Sequence, residues 1–213
     1  MRKAVLFAAA LLLGLGQTAD AQTPSMNFFL TSAGSMDGAN LGGLAGADEI
    51  CHQLAYSAGF ASLTWRAYLS TAAANGRPAV NARDRIGRGP WYNRNGVMIA
   101  ENLEQLHGDD SNLNKETALT EHGRQVNGRG DDPNQHDVLT GSLPDGTAAD
   151  GSDDTTCSNW TSNGAGSALV GHHDRQGGGA NPTSWNSAHG SRGCSQHDLV
   201  GTGGNGYFYC FGV

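Results

Sequence analysis

The sequence predicts one exported α+β domain with a main amphipathic helix near its N-terminus, antiparallel strands and long loops. Three observations carry that prediction. The chain opens on a leader-like segment, a helical apolar period occurs once, and short β-rich runs alternate with glycine-rich or polar stretches.

The leader is "MRKAVLFAAALLLGLGQTADAQ". Arg2 and Lys3 precede an apolar run from Ala4 to Leu15, and Ala19-Asp20-Ala21 follows. A basic start, a short apolar centre and small residues at a cleavage point make a secretory signal peptide over residues 1–21. The apolar run is too short to span a bilayer comfortably. Cleavage after Ala21 leaves residues 22–213, a length that suits one domain. That domain is expected to be secreted, periplasmic or held at the cell surface, with no membrane insertion.

The helix is read from "GADEICHQLAYSAGF". Ala47, Ile50, Cys51, Leu54, Ala55 and Ala58 recur at helical spacing, so Cys51 points to the core. Asp48 and Glu49 are expected in the first turn, where the helix dipole favours acids, and Gly59 is the expected stop. The strand segments are "NFFLTS", "TWRAYLS", "VMIA", "DVLTG", "SALVG" and "GYFYCF". In the last, Tyr207, Tyr209 and Phe211 share one face, and Phe208 and Cys210 the other. Trp65, Leu69, Ile50, Leu54, Phe208 and Trp160 are the expected core, with Arg66 and Tyr68 on the opposite face of their strand. Residues 108–154 read as polar loop, and no second hydrophobic cluster calls for another domain.

Glycine makes up 32 of 213 residues, without a collagen period, and clusters in "GHHDRQGGGAN" and "GTGGNG" as turns and irregular loops. A loop-rich exported domain benefits from covalent staples. Cys51, Cys157, Cys194 and Cys210 form no CxxC pair, and an even count in an oxidising compartment implies two disulfides with three possible pairings. Signal cleavage removes two cations and one anion, taking the formal net charge from −7 to −8. A field of that sign repels nucleic acid, polyanions and anionic membranes.

The run "GGLAGADEICHQLAYSAGFASLTWRAYLST" resembles the opening of the endostatin domain of collagens XV and XVIII. The later elements "VLTGSLPDGT", "TTCSNWTS", "SALVG", "GCSQHDLV" and "YFYCF" keep the same order. The resemblance covers nearly the whole mature chain. It implies a C-type-lectin-like (endostatin-like) fold, similar to that of secreted bacterial proteins of unknown role. It also implies nested bridges, Cys51–Cys210 and Cys157–Cys194, which would explain why the chain ends three residues after a cysteine.

Lectins of this fold bind sugars through calcium, with an acidic-Pro-Asn loop and a Trp-Asn-Asp stretch. Here Asp132, Pro133 and Asn134 stand with Trp185, Asn186 and Ser187, so one aspartate is replaced by Ser187. Asp132, Asn134 and Asn186 are the implied calcium ligands, and Asp137 and Trp185 complete the candidate ligand-binding set. The missing carboxylate makes any calcium binding weak, because the ion wants six to eight oxygens. Asp-Pro-Asn is also an ordinary turn sequence, and that reading takes precedence. Endostatin's zinc site depends on N-terminal histidines that "QTPSMNFF" lacks. His172, His173 and Asp174, beside His189 and His197, are zinc-ligand types. Neighbours on an extended segment point opposite ways, however, and flanking glycines predict an exposed loop, which argues against a metal there.

Arg129-Gly130-Asp131 reads as chance in a polar loop, and Asn159-Trp160-Thr161 as a sequon beside a tryptophan that packs on the inner disulfide. No Gly-x-Ser-x-Gly elbow or His-Glu-x-x-His helix is present, so no enzyme is expected. The expectation is a recognition module that binds a glycan or extracellular protein through residues 107–156 and 171–193. The alternative is a structural or adhesive envelope protein without a small-ligand site.

Overall fold

The last strand organises the molecule. In the computed structural model, which describes Met1 and residues 25–151 and 153–213, β8 (Gly204–Gly212) is the longest strand. The signal-peptide expectation lies outside the described residues. β1 (Phe28–Leu30) and β2 (Trp65–Ala67) both run antiparallel to β8, with Phe211 and Cys210 paired on each side. β5 (Asp137–Leu139) pairs with the first half of β8 in parallel, Asp137 opposite Gly204. β6 (Leu169–His172) and β7 (His189–Gly190) extend the sheet antiparallel, in the order β1-β8-β5-β6-β7. A separate hairpin joins β3 (Trp91–Tyr92) to β4 (Met98–Ala100). The class is α+β with a mixed sheet.

Alternation along β8 divides the interior into two layers. Phe208 and Cys210 face α1 (Gly43–Ser57), in a cluster with Phe29, Trp65, Leu69 and Trp160. Tyr209 and Phe211 face the other way and pack with Phe28, Tyr68, Trp91 and Trp185. Tyr68 therefore lies opposite Trp65 and Leu69, but it is fully buried. A second hydrophobic cluster does exist, as the reverse face of the same sheet. Residues 82–126 fold across that face and contribute Ile86, Ile99, Leu106 and Leu113 one at a time.

In α1, Ala47, Cys51 and Ala55 are buried, while Ile50 and Leu54 are half-buried at its margin. The helix begins four residues earlier than its acidic pair would require. Asp48 is therefore not a first-turn acid; its carboxylate accepts from Arg66 at 2.7 Å, Arg85 at 2.8 Å and the Ala67 N–H at 2.9 Å. The end is as expected. Gly59 takes φ 87°, Phe60 N–H donates to Ala55 O and Gly59 N–H to Tyr56 O, closing the glycine stop.

Both disulfides are present and nested, Cys51–Cys210 and Cys157–Cys194, each with Cα atoms 5.7 Å apart. The inner bridge starts in α3 (Cys157–Trp160), a turn whose four residues all have left-handed φ, from 49° to 66°. L-residues resist that conformation by about 1–2 kcal/mol each. The turn is held by contacts that offset the cost. Asp154 accepts from Ser158 N–H at 3.0 Å, Asn159 exchanges hydrogen bonds with the backbone of Ala72, and the Trp160 indole donates to Ser70 O at 2.8 Å.

Two outcomes follow from these staples. By loop entropy, replacing Cys51 and Cys210 together by Ala should cost about 5 kcal/mol, and Cys157 with Cys194 about 4 kcal/mol. Denaturant unfolding of both variants checks the order. Ser158 is exposed with φ 54°, so Ser158→Gly should stabilise by about 1 kcal/mol, and a loss of stability would show that the left-handed turn is not formed.

Candidate functional site

The polar stretch between α2 (Leu103–His107) and β5 is ordered by its own side chains. Lys115 pairs with Asp131 at 2.5 Å, Asp131 also accepts from Gly128 N–H, and Asn127 donates to Pro133 O at 2.9 Å. The Arg-Gly-Asp tripeptide is part of this lacing: Arg129 N–H donates to Asp174 while Asp131 is held by Lys115.

Against the far end of β8 the stretch leaves a recess of about 230 Å³, lined by Thr120, Arg124, Gln125, Asn127, Gln135 and Tyr207 among others. The Tyr207 hydroxyl oxygen accepts from Asn205 at 2.9 Å and from Gln135 at 3.4 Å, which leaves its own hydrogen free to donate. Among the described residues, the side chains of Arg124 and Gln125 make no hydrogen bond, and both are exposed. The recess therefore combines an aromatic wall with unspent donors and acceptors. A broader groove beside α3 is lined by Ala72, Ala73, Ala74 and glycines. Its Asn159 amide is spent on Ala72, which also takes the sequon asparagine out of play.

The expected ligand residues are dispersed. Asp132 is exposed, and the Asn134 side-chain oxygen accepts from His136 N–H at 3.3 Å. Asn186 is 1% exposed, and its amide donates to Tyr68, Leu143 O and Pro144 O. Trp185 is buried in the second layer, donating to Leu106 O. Asp137 begins β5 and is buried with His136 and His172.

The histidine part of the segment read as an exposed loop is interior, while Gly178 to Asn181 are exposed. His172 ends β6 between β5 and β7 with no exposure, and His173 and Asp174, just beyond the strand, have 0% and 5%. His172 and His173 do point apart, as an extended backbone requires. His173 Nε2 donates to Asn127 O at 3.1 Å. Burial pushes the His173 imidazole down in pKa. Burial also opposes a charge on Asp174, but hydrogen bonds from His136 and from the N–H groups of Arg129 and Gln176 outweigh it and hold the carboxyl well below the usual range. His172 faces the other way, with Nε2 3.3 Å from Asp137 Oδ1 and 3.0 Å from His189 Nε2. His136 stacks on His172, its Nε2 3.2 Å from the same oxygen. His189 and the recess residues Arg124, Gln125 and Gln135 carried no periodic signal. The available hints were that His136-Asp137 and His172 flank the runs "DVLTG" and "SALVG", and that His189 is of a zinc-ligand type.

No family model matches this chain, and no curated protein matches it.

A second buried network is complete. The Tyr68 hydroxyl meets His107 Nε2 at 2.8 Å and accepts from Asn186, while His107 Nδ1 donates to Leu103 O at 2.8 Å. Burial is the main cause lowering the His107 pKa below 6.5. A depressed imidazole is neutral in the fold, so its contribution is present above the unfolded value and is lost as pH falls through 6.5 towards the folded one. In a two-dimensional NMR titration His107 should titrate below a free imidazole. A midpoint at or above the free value would contradict the buried neutral tautomer.

Proposed function

We propose that this chain is an exported, non-enzymatic recognition domain of the C-type-lectin-like class that takes a hydroxyl-rich ligand, a glycan, in the recess beside Tyr207. The observation that carries the reading is the recess itself. A space of about 230 Å³ suits a single sugar ring better than a peptide, and its wall offers an aromatic ring with several uncommitted polar groups. Loops laid on a rigid scaffold are where binding residues concentrate, and here the scaffold is β8.

Export is supported by the two disulfides, which fit an oxidising compartment, and no helix among the described residues is long and apolar enough to cross a membrane. The class is supported by the helix packed on a mixed sheet and by the nesting of the bridges. The exposed Asp132–Asn134 turn is the place where a weak calcium ion would add to sugar binding, as in lectins of that fold.

A glycan array probed with the purified domain, with millimolar calcium and again with chelator, tests the reading. Binding should fall at least roughly tenfold, about 1.4 kcal/mol, in Arg124→Ala and Gln125→Ala, with unchanged thermal unfolding. Glycan binding indifferent to both variants would move the site elsewhere. An array without a bound glycan in either arm would replace this reading with a structural or adhesive envelope role.

A further inference from the structure

The geometry points to a centre for a divalent transition ion of the zinc class, built from His136, Asp137 and His172, with His189 at its edge. It is separate from the recess and does not depend on what the recess binds. One donor atom from each of His136, Asp137 and His172 lies within 4.8 Å of the others, and all three residues are buried. His189 approaches from the edge strand β7, with its side chain 26% exposed.

The carboxylate is the first argument. Neither Asp137 oxygen has a hydrogen-bond partner, although both are buried. An unpaired buried carboxylate is among the costliest groups a protein can hold. Three imidazole Nε2 atoms stand 3.2, 3.3 and 3.6 Å from Oδ1, yet none of these contacts has the angle of a hydrogen bond. A tetrahedral ion with bonds of about 2.0–2.1 Å holds its donor atoms about 3.3–3.4 Å apart. The separations of the ring nitrogens from Oδ1 are close to the edges of such a tetrahedron.

The ring tautomers are the second argument. Each Nδ1 faces an atom that only accepts: His136 faces Asp174 Oδ1 at 3.3 Å, His172 faces Pro182 O at 2.8 Å, and His189 faces Gly190 O at 3.1 Å. In the neutral rings of His136 and His172 Nδ1 must then carry the hydrogen, and Nε2 presents a lone pair. The His136 and His172 lone pairs thus converge with the carboxylate, while His189 Nε2, 3.0 Å from His172 Nε2, donates to that ring when the ion is absent. A cation satisfies the three converging groups at once, and carboxylate or carbonyl partners behind the rings are how metal-binding histidines are oriented. Imidazole nitrogen with one carboxylate selects zinc and its first-row neighbours over calcium or magnesium, which want oxygen.

Glycine packing fixes the rings. A Cβ on Gly177 would lie 2.2 Å from His172 Cε1, and one on Gly203 would lie 3.3 Å from His136 Nε2. The ion would join β5, β6 and β7, strands that neither disulfide enters. It would act as a third staple.

Chelator-stripped full-length protein, titrated with zinc chloride by calorimetry and with cobalt(II) in the visible range, decides the matter. The expected result is one ion per chain, an intense tetrahedral cobalt band, and a rise in melting temperature with zinc that calcium does not reproduce. Asp137→Asn and His172→Gln should lose the ion. Asp174→Asn, a positioning change behind His136, should weaken binding by about 10–100-fold while keeping the one-to-one ratio. His52→Gln, on the exposed face of α1, should change nothing. If Asp137→Asn does not fold, the wild-type cobalt band still answers. No zinc uptake and no thermal shift would overturn the proposal and leave a protonated histidine–aspartate network. Equal uptake by wild type and Asp137→Asn would also overturn it, by placing the ion elsewhere.

Discussion

Strand β8 is hydrogen-bonded along both edges and buried on both faces, and the Cys51–Cys210 bridge is anchored within it. A strand in that position can form only after segments from the beginning, middle and end of the chain have come together. Loop-closure entropy opposes each of those pairings before contacts reward it. The bridge to α1 removes part of that cost by limiting the unfolded chain. The nine residues of β8 also set the layering, because alternate side chains must enter different clusters.

The two sites on this molecule hang on the junction between β8 and β5. Tyr207 belongs to β8, and Gln135 directly precedes the His136-Asp137 pair at the head of β5. Pairing of Asp137 with Gly204 places the carboxylate beside the turn that ends α4 (Gln196–Thr202). His173, one residue beyond β6, is bonded to Asn127 O, and Asn127 lines the recess. The wall of the recess is therefore tied to the strands that bring the histidines together. An ion that stiffened those strands would also order the wall, without touching a ligand.

Periodic segments were legible in the sequence and isolated ones were not. All six β-like runs contain strands, the helix stops at Gly59, and the nested bridges implied by the resemblance are the ones formed. The second core layer escaped because Trp91, Ile99 and Leu106 enter it from elements of only two to five residues, and Leu113 from a loop, all too short to show a period. Glycine was the misleading signal. In "GHHDRQGGGAN" Gly178 to Asn181 are exposed as expected, but Gly177 marks a close approach of backbone to the His172 ring, and the histidines were placed on the wrong side of the surface. The rule that neighbouring side chains diverge was sound for His172 and His173. What it could not supply was the partner, since His136 and His189 each approach His172 from segments remote in sequence.

The interior contains two buried polar clusters, and the difference between them carries the chemical argument. Around Tyr68 each donor has an acceptor: the phenol meets His107, His107 meets Leu103 O, and the Asn186 amide fills the remaining carbonyls. That network satisfies itself and stabilises the second layer without outside help. Around Asp137 the same accounting fails. Backbone carbonyls and Asp174 face the Nδ1 atoms, and both buried oxygens of Asp137 are left without a hydrogen-bond partner. Positive charge would complete the cluster. A proton on one ring would supply it by charging a buried imidazole, whereas the proposed ion would supply it between the carboxylate and the rings of His136 and His172.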